Sequence, residues 1–444
     1  MEQPNTLKGA DPRQDRHSEE IRCLDALDQP AGLGYSTPHT TALSNGLPLT
    51  LLPVAGSPVT CLQFWCRAGS AVEQSQEHGM AHFLEHMVFK GNEELPAGAF
   101  DWQVEAHGGI SNAATGFDDV HYHVLMPKEA LPLACELLPQ LVLKPEIRAD
   151  DFVLERQVVL EELAQSEDQP EEQAFQQLLS LACGEHAYGR PILGKRELLL
   201  QQTPEQMQDF QRRHYCAESC AVSLSGGFEL GDVEQLLEAS PLAELPSRTG
   251  AEPDRPALRV QPGLHSLELP RLESARLLML WAAPPAHDLQ ALSGTDLLTT
   301  VLAEGRSSRL VRQLREEKQL VESIDVDLHS LEQGSLVILE AICPSERLEQ
   351  VHHDVSEILR QLQQHPPEAT EFKRAQRLLD HGHRFAMEGA GSLAQHLGQA
   401  TLMKRLEPLE QPLRRWHQWQ REDLQQVARA LDPDLACTLL VTPT

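Results

Sequence analysis

Apolar side chains recur at helical intervals over residues 77–90, and Gly91 directly after them is a natural helix stop. The pattern predicts a largely buried helix. Two histidines and one glutamate, His82, Glu85 and His86, interrupt its apolar run. The helix therefore sets polar side chains where apolar ones are expected, which marks it as a candidate site.

A second helix is predicted over residues 150–163. Acidic residues open this stretch, where the partial positive charge of a helix N-terminus favours them. Further along, one face that is otherwise apolar carries Glu155, Val158, Val159 and Glu162. A carboxylate on a core-facing surface needs a partner, so both glutamates are candidates for a site. A solvated acidic helix face is the alternative.

The rest of the chain alternates between helical and strand patterns. Asn45-Gly46 is a strong two-residue turn signal and predicts a hairpin over residues 43–49. Predicted helices cover residues 131–143, 171–183, 294–302 and 348–364, and predicted strands cover residues 221–224 and 437–441. This mixture indicates an α+β fold in which helices are layered on sheets.

The length of 444 residues is sufficient for two hydrophobic cores of about 200 residues each. Residues 1–34 are polar and lack the apolar segment of a signal peptide, so they are predicted to form a flexible extension. A stretch rich in proline, glycine and charge then divides the chain. We expect domains at 35–245 and 263–444, joined by a linker at 246–262.

His82 and His86 stand four residues apart, which places their Cβ atoms about 5–6 Å apart on one helix face. Two imidazoles at this spacing can share a metal ion while Glu85 points into the same space. Catalytic zinc typically has three protein ligands, and Glu162 can supply the third. Glu155 can then hold a ligand histidine by a hydrogen bond. The alternative is a buried helix whose histidines bond to neighbouring backbone.

The motif His82-x-x-Glu85-His86, followed by Glu155-Arg-x-Val-Val-Leu-x-Glu162, resembles the M16 metallopeptidases, the family of pitrilysin, insulin-degrading enzyme and the mitochondrial processing peptidases. Further segments that resemble family motifs are 43–49, 66–73, 108–115 and 186–191. The resemblance implies one Zn²⁺ ion per chain, bound by His82, His86 and Glu162. It also implies Glu85 as the general base and Glu155 as a supporting carboxylate.

The same resemblance implies two tandem, structurally similar domains, each a mostly antiparallel sheet packed with helices, which enclose a cavity. M16 enzymes cleave peptides that lie extended against an edge strand. Main-chain groups at Asn112, Ala113 and Ala114 would then pair with the substrate by strand addition. An ordinary sheet strand that leaves a glycine turn is the alternative for this segment.

The second half of the chain has no metal pentapeptide, yet residues 302–320 resemble the metal-free second domain of the family. The resemblance implies that Arg315 contacts the substrate near the scissile carbonyl, although alone it is a cation on a charged helix. Family members usually have a tyrosine where this chain has Glu322. Losing one such hydrogen-bond donor costs about 10²–10³ in rate.

Two explanations for Glu322 remain open. Either catalysis proceeds with weaker carbonyl stabilisation, or a partner chain completes the cavity. The partner would be a second copy in a homodimer, or a second M16-like chain in a heterodimer. In a heterodimer of one catalytic and one non-catalytic subunit, this chain would be the member that carries the metal.

The net charge of −29, from 66 acidic and 37 basic residues, argues against a nucleic-acid partner. Acids lining a cavity would attract basic peptides, and general surface acidity is the alternative. No stretch reaches the roughly 18–20 apolar residues of a membrane span. Nine cysteines are scattered without a metal-binding or redox pairing, which together with the missing signal peptide indicates a cytoplasmic protein.

These observations predict a zinc-dependent endopeptidase that hydrolyses extended peptides, with Glu85 activating the attacking water. The alternative is a peptidase-like binding or assembly subunit with little turnover, which acts with a partner M16 chain. Pseudo-enzymes often lose a metal ligand, and here His82, His86 and Glu162 are all present. The complete ligand set favours the enzyme.

Overall fold

The computed structural model describes residues 34–35, 37–247 and 255–444. The predicted extension 1–34, apart from Gly34, lies outside the described residues, and so does the middle of the predicted linker at 248–254. The described strands form two sheets, one from residues 39–226 and one from residues 263–443. No helix in the described ranges is both long enough and apolar enough to cross a membrane.

The first sheet has six strands and the second has five. In chain order the strands are β1 (His39–Ala42), β2 (Pro48–Pro53), β3 (Val59–Cys66), β4 (Ile110–Thr115), β5 (Val120–Pro127), β6 (Cys220–Gly226), β7 (Gly263–Leu269), β8 (Ala275–Ala283), β9 (Ser323–His329), β10 (Ser335–Cys343) and β11 (Cys437–Pro443). The sheet orders are β1-β2-β6-β3-β5-β4 and β7-β11-β8-β10-β9. Strand β4 therefore lies at an edge.

The two sheets repeat one plan once β1 is set aside. Strands β2 and β6 pair in parallel, as β7 and β11 do, and every remaining pair in both sheets is antiparallel. The α+β architecture of two tandem, similar, mostly antiparallel units packed with helices is thereby confirmed.

The helices lie between the strands in both halves of the chain. They are α1 (Met80–Val88), α2 (Ala99–Ala106), α3 (Leu131–Leu143), α4 (Ala149–Asp168), α5 (Pro170–Cys183), α6 (Arg196–Leu199), α7 (Pro204–His214), α8 (Leu230–Glu238), α9 (Leu289–Ala303), α10 (Leu348–Gln364), α11 (Ala369–Ala386), α12 (Ala390–Leu402), α13 (Gln411–Gln418) and α14 (Leu424–Ala428). A π-helical segment, Val311–Glu317, follows α9, and short 3₁₀ turns complete the connections.

The predicted elements are found, the helices at 131–143 and 348–364 with the predicted bounds and the others with shifted ends. The helix predicted at 294–302 begins at Leu289, because Asp288 caps it by accepting a hydrogen bond from the Ala291 N–H at 3.1 Å. The hairpin at 43–49 closes through the Gly46 N–H, which donates to the Leu43 carbonyl at 2.8 Å. Gly46 has a φ of 89°, a value that suits glycine.

One face of each sheet is covered by a helix from the other half of the chain. Helix α12 packs on β2, β3 and β6, while helix α5 packs on β8 and β11. On the second sheet, Leu178 of α5 belongs to the same buried cluster as Leu280 and Leu439. The halves therefore exchange helices, and each depends on the other for burial of its sheet.

Helix α12 fits the first sheet closely because its contact face is built of small residues. The hydroxyl of Ser223 donates to the Ala394 carbonyl at 2.7 Å, and Ser225 donates to the Ala390 carbonyl. A Cβ added to Gly398 would overlap the indole of Trp65 and lie 2.6 Å from Ser223 Oγ. Glycine at 398 is thus required by the closeness of helix and sheet.

The substitution Gly398→Ala is expected to lower the free energy of unfolding by about 1–3 kcal/mol, because the added methyl group forces Trp65 or the helix to move. Urea unfolding followed by circular dichroism measures this change. Gly391→Ala in the same helix is the matched control, since a Cβ there meets no atom within 4 Å. Equal effects of the two substitutions would contradict the close fit.

Candidate metal centre

Helix α1 begins after Gly79, whose backbone φ of 90° lies in the left-handed region. The buried carboxylate of Glu73 accepts hydrogen bonds from the Gly79 N–H at 3.1 Å and the Ala81 N–H at 2.9 Å. These amides lack helical partners, and the Glu73 carboxyl group satisfies them. Burial raises the pKa of Glu73 to about 8, against the opposing effect of those amides. Glu73 thus fixes the start of the helix that carries His82 and His86.

Three side chains meet between α1 and α4. Glu162 Oε2 lies 3.6 Å from His82 Nε2 and 3.4 Å from His86 Nε2. The ligand atoms of all three residues fall within 4.8 Å of one another. Atoms bound to a tetrahedral zinc at about 2.0–2.1 Å stand about 3.3–3.4 Å from each other. The two nitrogen–oxygen distances match that edge, so this donor set fits zinc.

His86 is held in one orientation by Glu155. Its Nδ1 lies 3.0 Å from Glu155 Oε1, and Lys90 forms an ion pair with the other oxygen of that carboxylate. Because a carboxylate only accepts, the proton must sit on Nδ1, which leaves the Nε2 lone pair free to bind a metal. Glu155 is buried, as the helix-face pattern predicted, whereas Val158, which was assigned to the same face, is exposed. Its pKa is raised by burial but is held below its usual value overall by His86 and Lys90.

The two histidines experience different electrostatic surroundings. Burial lowers the pKa of His82 to about 4, helped by the nearby His86, so His82 is neutral at pH 7 and ready to donate its lone pair. For His86, burial also favours the neutral form, but the bond to Glu155 and the charges of Glu162 and Glu85 raise the pKa above its ordinary value. A bound cation would offset the negative charge that these carboxylates concentrate here.

Glu85 faces the same space and is fixed by Thr115, the last residue of β4. The Thr115 hydroxyl donates to Glu85 Oε2 at 2.6 Å, leaving Oε1 without that bond. Burial raises the pKa of Glu85, and the nearby Glu162 adds to the rise, while Thr115 and His86 oppose it. A carboxylate of raised pKa beside a metal site is suited to accept a proton and return it.

A cavity of about 1010 Å³ opens in front of these residues. Its walls come from α1, β4, α4, α5 and residues 191–197, and Leu267 and Leu269 of β7 contribute from the second sheet. Ala113 and Ala114 line it, at the end of β4 that carries Thr115. Asn112 is exposed on the same strand, outside the described lining.

Comparison with known proteins matches both halves of the chain. Residues 55–196 match the family model for insulinase (peptidase family M16), and residues 202–379 match that for the peptidase M16 inactive domain. The chain belongs to peptidase family M16. The resemblance inferred from the sequence motifs is thereby confirmed.

Relatives and solved structures of other M16 proteins agree with this assignment. An uncharacterized zinc protease of Mycobacterium tuberculosis is 28% identical over 398 residues, covering 89% of this chain and 90% of that protein. The mitochondrial-processing peptidase subunit beta of Dictyostelium discoideum is 31% identical over 199 residues, covering 45% of this chain and 42% of that protein. A protease from Helicobacter pylori has the same fold, with a TM-score of 0.85 at 21% identity, covering 92% of this chain and all 100% of that chain.

Two residues singled out in the second half of this M16 chain lie apart from the cavity. Arg315 is exposed on the π-helical segment Val311–Glu317 and is outside the described lining. Glu322 is exposed as well, and its carboxylate accepts a hydrogen bond from Ser274 Oγ at 3.0 Å. The fold thus brings together His82, Glu85, His86, Glu155 and Glu162, but not these two.

Two contacts at the site were not predicted from the sequence. Glu73 reaches α1 across a turn, and Thr115 reaches Glu85 from a strand that is distant in the chain. A residue pattern within one helix carries no signal for either contact. The one sequence signal for the Thr115 contact was its position directly after the predicted substrate-binding residues.

Replacing Glu155 with glutamine is expected to weaken zinc binding by about 10–100-fold, because the ring of His86 loses its charged acceptor. Competition against a chromophoric chelator measures the dissociation constant. Glu161→Gln is the matched control, since Glu161 is exposed on the same helix. If both variants bind zinc as the unchanged protein does, Glu155 does not support the metal centre.

Proposed function

We propose that this protein is a zinc-dependent endopeptidase that hydrolyses extended peptides, with one zinc ion per chain. The observation that supports this proposal most is the geometry of His82, His86 and Glu162. Their nitrogen–oxygen distances are close to the ligand–ligand distance of a tetrahedral zinc site, and Glu85 lies beside them. When bound, zinc supplies a Lewis acid that polarises the scissile carbonyl and lowers the pKa of a water to about 7. The chain's own residues carry out the remaining tasks.

In this proposal the substrate adds as a strand to the open edge of β4. Main-chain groups of Asn112, Ala113 and Ala114 bind it, and the small alanines allow its backbone to approach closely. Thr115 ends that strand and holds Glu85 Oε2 at 2.6 Å, so the scissile bond is brought to the general base. Glu85 Oε1 then takes the proton of the attacking water and passes it to the leaving amine.

The lining of the cavity favours basic peptides. Apart from Glu85 and Glu162 of the metal centre, its acidic residues are Glu167, Glu172 and Glu197, against Lys195 and Arg196 as the cations. An enclosed excess of carboxylates attracts positively charged chains and raises their local concentration. The overall net charge of −29 acts in the same direction at long range.

We further propose that a partner chain completes the cavity. Arg315 is not among the described residues that line the cavity of its own chain. A second M16 chain facing the cavity would bring the corresponding arginine of its second half there. A homodimer meets this requirement, and so does a heterodimer with a related chain.

The eight described cysteines are buried free thiols, which suits the reducing conditions of the cytoplasm.

Removal of the general base tests the mechanism directly. Glu85→Gln should slow cleavage of a fluorogenic, unstructured basic peptide by about 10²–10⁴, because glutamine cannot accept the proton. Zinc content by atomic emission should remain near one ion per chain. Glu105→Gln, at an exposed glutamate, should leave the rate unchanged. Zinc-loaded protein that cleaves no peptide, alone or with a related M16 chain, would remove the endopeptidase proposal.

A mixing experiment tests whether Arg315 acts across a dimer. Glu85→Gln and Arg315→Ala chains should each cleave slowly alone. When they are mixed and allowed to exchange, activity should return to roughly a quarter of the wild-type rate, since about half of the dimers are mixed and each has one complete site. A mixture no more active than its separate components would exclude a homodimer in which Arg315 acts across the interface.

A further inference from the structure

The repeated sheet plan identifies the place in the second half that corresponds to the metal centre. The metal centre lies between α1 and α4 at the end of β4, and its counterpart lies between α9 and α11 at the end of β9. A cavity of about 250 Å³ occupies this counterpart position. We call it the second-half pocket. It shares no lining residue with the cavity at the metal centre.

The lining of the second-half pocket follows the architecture of the first. Leu292, Ser293 and Asp296 line it from one face of α9, and His383 lines it from α11. The described part of the chain offers three clustered metal-ligand side chains only at His82, His86 and Glu162. The second-half pocket therefore lacks a three-ligand metal set, and its occupant must be sought in another chemical class.

Asp296 presents a buried carboxylate to this pocket without a cation to balance it. No ion pair joins it to any of the described residues. Burial raises the pKa of Asp296 to about 7, and the indole of Trp416 offsets part of that rise. A carboxylate removed from water without a cation is a costly arrangement, which a ligand ammonium group would relieve.

Arg405 presents the opposite charge to the same pocket. Its guanidinium donates to the Ala286 carbonyl at 3.1 Å, Ser330 Oγ at 3.2 Å and Gln399 Oε1 at 3.0 Å, all of which are neutral acceptors. Within the described ranges it has no carboxylate at ion-pair distance, although four carboxylates act on it from farther away: Asp119, Glu332, Glu407 and Asp118. Its neighbour Arg415, by contrast, is neutralised by Glu407.

One cavity is thus lined by a half-buried carboxyl group and a half-buried guanidinium that do not pair with each other. The walls between them include the apolar side chains of Leu289, Leu292, Leu328 and Pro412. The volume of about 250 Å³ is below the range of about 300–1,000 Å³ that drug-sized ligands occupy. The occupant is therefore small, carries both charges and has an apolar body.

We propose that the second-half pocket binds a small zwitterion, an α-amino acid with an apolar side chain, whose ammonium group meets Asp296 and whose carboxylate meets Arg405. Each charge of the ligand then receives a charge-assisted hydrogen bond. The apolar side chain lies against the leucines of α9. The binding does not require the peptidase activity of the first half.

Isothermal titration of the full chain with L-leucine tests the proposal, after a thermal-shift screen of the common α-amino acids. We expect saturable binding at one site per chain. N-acetyl-L-leucine lacks the ammonium group and L-leucinamide lacks the carboxylate, so each should bind at least about ten-fold more weakly. Asp296→Asn should weaken L-leucine binding by a similar factor, while Glu85→Gln should bind it as the unchanged protein does.

A second variant keeps the test decisive if Asp296→Asn fails to fold by circular dichroism. Ala400→Leu extends an apolar side chain from a residue that lines the pocket, and it should abolish binding without altering either charge. The proposal is overturned if no amino acid gives saturable binding at millimolar concentration. It is equally overturned if L-leucinamide or N-acetyl-L-leucine binds as tightly as L-leucine, or if the folded pocket variants bind L-leucine unchanged.

Discussion

The exchange of one helix between the two halves is the constraint on which the rest of this structure depends. Each sheet buries one face under helices of its own half and the other under a helix from elsewhere in the chain, α12 on the first sheet and α5 on the second. A sheet whose second face stayed open would expose the apolar side chains that β3, β6, β8 and β11 carry there. The halves therefore stabilise each other, and their relative position is set by burial of large apolar surfaces.

A network of polar contacts between the two halves also holds the end of β4 in place. The Tyr188 hydroxyl donates to Asp118 Oδ1 at 2.7 Å and accepts from the Gln333 N–H at 3.1 Å. The Glu332 N–H donates to the second oxygen of Asp118 at 2.8 Å. Asp118 lies in the turn that follows Thr115, so the end of the edge strand beside Glu85 is anchored to the second half.

The two halves show how one architecture acquires different chemistry. In the first half, α1 and α4 bring two imidazoles and a carboxylate to distances that suit a tetrahedral metal. In the second half, the corresponding helices bring Asp296 and His383 to a pocket without a three-ligand set among its described residues. The strand plan is retained in both halves because it builds the core, whereas the side chains on the pocket faces are free to differ.

The sequence by itself determined the parts of this protein that depend on local spacing. His82, Glu85 and His86 share a helix face, as Glu155 and Glu162 do, so helical periodicity alone was enough to nominate them. The alternation of helical and strand patterns indicated the α+β fold, and motif resemblance supplied the family. Only the tertiary structure decided that Glu73 caps α1, that Thr115 binds Glu85, and that Asp296 and Arg405 line one pocket without pairing with each other. Each of these contacts joins segments whose approach is set by the packing of sheets and exchanged helices, and no periodicity within a single segment encodes that approach.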